Sequence, residues 1–375
     1  MKIYLDNAST TPLDKEVLKE MLPFLKENYG NASSIHSLGQ ASRQAVDKSR
    51  QRIADFLGCS ALEIVFTGSA TESDNLAIKG IAKEGDHIIT TKIEHPAVWE
   101  VCSHLKGVDV TYLDVNQDGL VSVDDVKGAI KENTALVSIM YANNEIGTIQ
   151  PILEISEFLK DKDILFHTDA VQALNYLNCK ADDLKVDLLT LSAHKIYGPK
   201  GIGALYVRKG IKINPLMHGG HQENGIRPGT ENIASIVGFG KAIELIQKDN
   251  SCFLRDKLIK GIIEKIPDCQ LNGSKEKRLP NNVNFSFRGV EGESILMALN
   301  EEDIYCSTGS ACSTGDLNPS HVLLALGLSE QEAHGSLRMT LGRFTKEKEI
   351  DKVLSVLPET ISNLRKVSGY EVLSR

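Results

Sequence analysis

The stretch richest in chemistry runs from Asp187 to Val207, DLLTLSAHKIYGPKGIGALYV. An apolar run, Leu188, Leu189 and Leu191, stops at Ser192-Ala193-His194-Lys195, and a turn carrying Gly198, Pro199, Gly201 and Gly203 follows. A buried strand that ends so abruptly delivers side chains to a cleft. A lysine at such a junction is half out of water, which disfavours its charged form and makes its amine a usable nucleophile toward an aldehyde. The alternative is a surface lysine in a turn. Further upstream, Gly68-Ser69-Ala70-Thr71 joins a strand-like run to a helix. Free N–H groups and the positive end of the helix dipole meet there, which suits an anion such as phosphate. The same residues serve equally as a plain N-cap, and the two uses are compatible. Asp169 follows another apolar run, with the amide of Gln172 three residues on, and His95 stands just before Pro96. A lone histidine is more often a structural hydrogen-bonder than a catalyst, so His95 counts only with the others.

These residues need strands and helices to bring them together. Strand-like runs at Glu63–Thr67, His87–Thr91, Ala135–Tyr141, Asp163–Phe166 and Leu188–Leu191 end in or near Thr67-Gly68, Glu94-His95, Asn143-Asn144, Asp169 and Ser192. Helical spacing covers Leu13 to Tyr29 with an interruption expected at Pro23, then Gln40 to Leu57, Leu76 to Ile81, Pro151 to Lys160 and Ile233 to about Lys248. Alternating strands and helices predict an α/β fold with a mostly parallel central sheet, whose C-terminal strand ends line one crevice. Asp114 to Asp125 imitates a calcium loop, but a strand precedes it and Asp125 stands where a glutamate belongs. The spacing there predicts a turn at Asp118-Gly119 and a helix from about Ser122, with no metal. After residue 250 the pattern changes to a smaller α+β unit, with strands at Asn282–Phe287 and Ser336–Thr340 and a loop from Tyr305 to Asn318. The expected division is a large domain over 13–250 and a small one formed by 1–12 and 251–375.

The totals exclude several classes. The chain has 375 residues, is 41% hydrophobic and 25% charged, and carries a formal net charge of −8, which argues against direct nucleic-acid binding. No apolar run approaches a bilayer span. The start, MKIYLDNAST, lacks the basic-then-apolar pattern of a secretion signal, and seven scattered cysteines include no C-x-x-C pair. Together these predict a reduced, cytoplasmic chain in which one cysteine is chemically active.

The converging inventory is that of a pyridoxal phosphate site: an imine-forming amine, a phosphate cradle, a carboxylate to hold the pyridine nitrogen protonated and a donor to the ring oxygen. At this point the chain closely resembles the cysteine desulfurases of the NifS/IscS type, in the class V aminotransferase group. The matching segments are YLDNASTTP, TGSATESDNLAIKG, TKIEHPAV, YANNEIG, HTDAVQ, LSAHKIYGPKGIG, GGHQENGIRPGTEN, STGSACSTG and LRMTLGRFT, in family order from residue 4 to about 345. Four positions depart from the commonest pattern: Ser9 for alanine, Asp74 for asparagine, Pro228 for serine and Thr340 for serine. None removes a group that the family's chemistry needs.

The resemblance implies the fold-type I architecture of PLP-dependent transferases and a set of roles. Lys195 would hold the cofactor, Asp169 would pair with its ring nitrogen, and Gln172 would donate to the ring oxygen. Ala70 through its main chain, Thr71, Ser192 and His194 would bind the phosphate, with Thr230 reaching it from the other subunit of a homodimer. His95 would stack on the ring and move protons, Asn144 would contact cofactor and substrate, and Arg338 would grip the carboxylate of L-cysteine; Arg343 is a weaker candidate. Cys312 lies among small residues that offer nothing to anchor it in a core, which predicts an exposed thiol on a mobile loop. In the family this cysteine takes sulfur from cysteine as a persulfide, alanine leaves, and the sulfur passes to an acceptor protein, an iron–sulfur scaffold or a tRNA-thiolation or cofactor-biosynthesis enzyme. Cys306 is expected to be structural or auxiliary. The competing readings are a selenocysteine lyase, another class V transaminase, and a scaffold for sulfur transfer that has no activity of its own.

Overall fold

The structure is a computed structural model that describes residues 1–247, 251–308 and 318–372. In chain order the strands are β1 (Ile3–Tyr4), β2 (Ile64–Thr67), β3 (His87–Thr91), β4 (Asp109–Leu113), β5 (Thr134–Ser138) and β6 (Leu165–Asp169). Then come β7 (Leu188–Ser192), β8 (Gly203–Val207), β9 (Cys269–Leu271), β10 (Asn282–Phe287), β11 (Ile304–Tyr305) and β12 (Ser336–Thr340). Seven of them form one sheet in the order β2-β8-β7-β6-β5-β3-β4. The neighbours from β7 to β4 run parallel, whereas β8 is antiparallel to both β7 and β2. Two reversals cancel, so β2 points the same way as β7. The C-terminal ends Thr67, Thr91, Ser138, Asp169 and Ser192 therefore share one edge of the sheet.

Both faces of this sheet are covered, which is why its strands read as apolar runs rather than as an alternation. Successive side chains point to opposite faces. Leu188 joins Leu76, Ile78, Val98 and Leu136 on one side, while Leu189 and Leu191 join Val46, Ile53, Leu57, Phe166 and Phe239 on the other. On that second side, helix Ile233–Glu244 lies close against Lys15–Lys26 and Ser37–Leu57. Glycine permits this: a Cβ at Gly240 would stand 2.8 Å from the Ser49 Cα.

A further core surrounds the antiparallel sheet β12-β10-β9, under helices Cys252–Lys265, Gly292–Glu301 and Glu347–Ser368. Phe285, Leu337, Met339, Ile350 and Leu357 fill it, and so do Ile3 and Leu5 from the other end of the chain. Strand β1 pairs with β11, Ile3 beside Ile304. Residues 6–11 then run along the seam between the cores: Asn7 N–H donates to the Thr340 carbonyl at 3.3 Å and Thr11 N–H to the His194 carbonyl at 3.0 Å.

Some expected boundaries move. Pro23 does not interrupt its helix, which runs unbroken from Lys15 to Lys26. A proline forfeits one N–H bond, and here the buried face of Val17 and Met21 outweighs it. The strand expected at Asp163–Phe166 lies at Leu165–Asp169, because its pairing with β7 continues to Asp169 opposite Thr190. The strand expected to reach Tyr141 ends at Ser138, and the helix expected to reach Lys248 ends at Glu244. The short strand β9 and the helix Glu330–His334, closed by a Ser329/Glu332 capping box, carried no periodic signal long enough to read.

Candidate active site

A cavity of about 600 Å³ opens at the shared edge of the sheet, where the two cores meet. Lys195 reaches it through a tight 3₁₀ turn, Ala193–Lys195, immediately after β7. The turn folds back so closely that a Cβ at Gly198 would lie 2.7 Å from the Ala193 carbonyl. Lys195 is half-buried, and its Nζ donates to the carbonyls of Ala8 at 2.5 Å and Ser9 at 2.7 Å. Gln172 Nε2 donates to the same Ala8 carbonyl at 3.0 Å. The seam segment is therefore one wall of the site, a contribution that sequence reasoning missed because a backbone carbonyl has no side-chain signature.

Asp169 ends β6 on the opposite wall, buried, with Oδ1 accepting the Val171 N–H at 2.9 Å. Burial pushes its pKa up to about 6, while the Val171 N–H and the charge of Lys195 pull it down. It remains largely ionised at neutral pH. His95 is the N-cap of helix Pro96–Ser103, and its Nδ1 accepts the Ala97 N–H at 3.1 Å, so a proton on the neutral ring belongs on Nε2. Burial first, then the charges of Lys195, His321 and Arg338, bring its pKa down to about 4. His194, beside the Thr10 hydroxyl at 3.2 Å, is likewise brought to about 4, mainly by burial. Both imidazoles are neutral at pH 7.

At the start of helix Ala70–Lys79 the cap and anion readings coexist. The Ser69 hydroxyl accepts the Glu72 N–H at 3.1 Å, while Ala70 and Thr71 supply first-turn N–H groups that have no acceptor within a helix. Strand β8 starts against this turn, and a Cβ at Gly203 would lie 2.6 Å from the Ser69 carbonyl carbon and 2.9 Å from the Ala70 nitrogen. Glycine there is what lets sheet and turn approach.

Arg338, on β12, crosses from the smaller sheet into the cavity wall. Its Nη2 donates to Asp6 Oδ1 at 3.0 Å and Ser9 Oγ at 2.7 Å, and Nη1 donates to the Asn144 carbonyl at 3.1 Å. Among the described residues its buried Nε has no hydrogen-bond partner, so the guanidinium keeps donor capacity. Glu145, beside Asn144, accepts the Ser320 hydroxyl at 2.5 Å, and burial lifts its pKa to about 7. Trp99 and His321 form an aromatic wall, their ring centroids 5.2 Å apart.

Lys195, Asp169, Gln172, His95, His194, Ala70, Thr71, Asn144 and Arg338 are thus gathered on one cavity. Ser192 is buried at the end of β7 without lining it, and Thr230 is exposed, away from the chain's own cavity. Cys312 lies outside the described residues. On its two sides, Ser307 exchanges main-chain hydrogen bonds with Arg338, and Pro319, Ser320 and His321 line the cavity. Burial raises the Cys306 thiol to about 12, so it keeps its proton at neutral pH. Sequence reasoning also passed over Asp74, a fully buried acid on the cavity wall. The signal available was an acid three and four residues before Ala77 and Ile78, on the apolar stripe of its helix.

The donor set fits a phosphorylated pyridine aldehyde. The glycine-backed helix start offers N–H groups to a phosphate, Asp169 offers an anion to a ring nitrogen, and Lys195 offers an amine to an aldehyde. Comparison with known proteins agrees. The model of the aminotransferase class-V family matches residues 3–353. A cysteine desulfurase IscS from Dictyoglomus turgidum is 52% identical over 382 residues, covering 99% of this chain and 97% of that protein. One from Methanosarcina thermophila is 52% identical, covering 98% of this chain and 93% of its own. Among solved structures, a NifS-like protein superposes with a TM-score of 0.91 at 38% identity, over 97% of this chain and all of that one. SspA in complex with cysteine gives 0.84 at 41%, over 92% of this chain and all of that one. This chain belongs to the class-V aminotransferase family, among its cysteine desulfurases, and pyridoxal 5′-phosphate is its cofactor.

Proposed function

We propose that this protein converts L-cysteine to L-alanine and hands the sulfur to Cys312, which passes it as a persulfide to an acceptor protein. The observation that carries the reading is the convergence of Lys195, Asp169, Gln172, His95 and Arg338 on one cavity, with residues on both sides of Cys312 at its margin. When bound, pyridoxal phosphate supplies an electron-accepting ring that stabilises negative charge at the α-carbon of the amino acid.

The chain's own residues do the rest. Lys195 would hold the cofactor through its amine and would serve as a base beside the substrate α-carbon. Asp169 would keep a proton on the ring nitrogen, and Gln172 would donate to the ring oxygen. Ala70, Thr71 and His194 would hold the phosphate, with Ser192 two residues before His194 at the end of β7, and Thr230 would enter the site of a partner subunit in a homodimer. Arg338 binds the substrate carboxylate as a planar fork that a lysine cannot reproduce, with Asn144 beside it. His95, neutral at pH 7 with its ring proton on Nε2, presents that N–H to the substrate and takes part in its proton transfers. The Cys312 sulfur then attacks the substrate sulfur. The carbon–sulfur bond breaks, a sulfur–sulfur bond forms, and the electron pair left on carbon takes up a proton, so no outside oxidant or reductant is needed.

The reading extends to two domains, 13–250 and 1–12 with 251–375, to a cytoplasmic location, and to an iron–sulfur scaffold or tRNA-thiolation enzyme as acceptor. The test is to incubate the protein with L-cysteine and each candidate acceptor and to follow alanine and acceptor-bound sulfur. Equal amounts of the two are expected, and none of either from a Cys312→Ala protein that still binds the cofactor. Cysteine turnover without alanine rules the mechanism out.

A further inference from the structure

Asp74 is fully buried in helix Ala70–Lys79, on the wall of the cavity. A buried carboxylate needs donors or a cation. Among the described residues neither of its oxygens has a hydrogen-bond donor. His167 Nε2 comes within 3.6 Å of Oδ1, but its two ring nitrogens are already engaged by the Thr190 hydroxyl at 3.0 Å and the Ser138 hydroxyl at 2.9 Å. Burial lowers the His167 pKa to about 3, so the ring is neutral and no ion pair forms. The Thr190 hydroxyl eases an anion at Asp74 without forming a hydrogen bond to it, and His167 already engages that hydroxyl.

The charged neighbours make an anion there less favourable still. Burial above all drives the Asp74 pKa well up, and the charge of Asp169 from β6 adds repulsion; Glu94, from beyond β3, adds more only once it ionises at higher pH. Between the two aspartates the choice is clear. Asp169 has the Val171 N–H at 2.9 Å and the attraction of Lys195, whereas Asp74 has neither.

We propose that Asp74 is a positioning residue that stays protonated at neutral pH, so that Asp169 alone carries the negative charge of this carboxyl pair. Two charges side by side would repel each other and draw water or a cation into the wall, whereas one charge keeps Asp169 aimed at the ring nitrogen. The consequence for the cofactor rests on the function proposed above. The protonation state of Asp74 does not, and it is measured without turnover.

Infrared difference spectra of purified holoenzyme, parent minus Asp74→Asn, are expected to show a carboxylic-acid C=O band at neutral pH that shifts in heavy water. Carboxylate bands in its place overturn the proposal. In an Asp169→Asn protein the repelling charge is gone, so the Asp74 acid band should titrate away at lower pH than in the parent. An unchanged titration refutes the pairing, and this comparison stands even if Asp74→Asn does not fold. The pH titration of the bound-cofactor absorbance should superimpose for parent and Asp74→Asn, because the amide is as neutral as the protonated acid. A displaced titration curve in a variant that retains its cofactor contradicts the assignment.

Discussion

Glu94 offers a measurement of how strongly this fold desolvates its acids. It is fully buried behind the cavity; Oε1 accepts the Thr91 hydroxyl at 2.7 Å and the Met140 N–H at 3.0 Å, while Oε2 has no partner. Burial raises its pKa from 4.5 to about 8, against the lowering effect of those two donors and with a small further rise from Asp169. Between these values the folded protein holds a proton that the unfolded chain has lost. Stability from this group is therefore complete below pH 4.5 and declines as pH rises through about 8. The slope is about 1.4 kcal/mol per pH unit for one proton, so raising the pH from about 6 to about 8 costs about 2 kcal/mol. Glu94→Gln mimics the protonated acid, keeps an oxygen for Thr91 and Met140, and removes the titration. Chemical denaturation of parent and variant, both saturated with cofactor, should show the variant gaining about 2 kcal/mol on the parent over that pH interval. Asp169 and Glu145, also raised, slope the same way in both proteins and cancel in the difference. Parallel pH profiles would falsify the argument, since they mean that Glu94 titrates alike in the folded and unfolded chain.

Two further perturbations test the site itself. Arg338→Lys replaces a fork that reaches Asp6, Ser9 and Asn144 by a single ammonium, and charged hydrogen bonds contribute roughly 1.5–3 kcal/mol each. The expected result is a fall in kcat/KM for cysteine of roughly 10- to 100-fold, mostly through KM, and an unchanged KM would remove Arg338 from substrate binding. Gly203→Ala would set a methyl 2.6 Å from the Ser69 carbonyl carbon and push away the turn proposed to hold the phosphate. Overpacking of about 1–3 kcal/mol should weaken cofactor binding roughly tenfold or more in absorbance titrations. Gly128→Ala, where a Cβ meets nothing within 4 Å, is the control, and equal affinities for the two variants would dissociate Gly203 from the cofactor site.

Much of the site was legible in the chain because its strands are buried on both faces. In such a strand polarity marks the end, and Asp169, Ser192 and Lys195 stand at those ends or just beyond them. The helix after Ser69 was legible through its cap, the strand His87–Thr91 through its β-branched residues, and Asn282–Phe287 and Ser336–Thr340 through their alternation of polar and apolar residues. Boundaries such as Leu165–Asp169 were not, since the partner strand, not local composition, decides where pairing stops.

The linear order of residues carried the chemical signals: an amine after an apolar run, a small-residue turn opening a helix, a carboxylate and amide three apart, and a cysteine among small residues. These follow from properties that a side chain carries with it, namely polarity, charge and helical or strand spacing. Only the tertiary structure decided that β8 reverses and so lets β2 present its turn on the common edge. It alone brought the Ala8 and Ser9 carbonyls to Lys195, Asp6 to Arg338, and Asp74 behind Asp169 without a donor. Those relations join residues up to hundreds of positions apart. They depend on burial and on backbone groups common to every residue, so no local pattern records them.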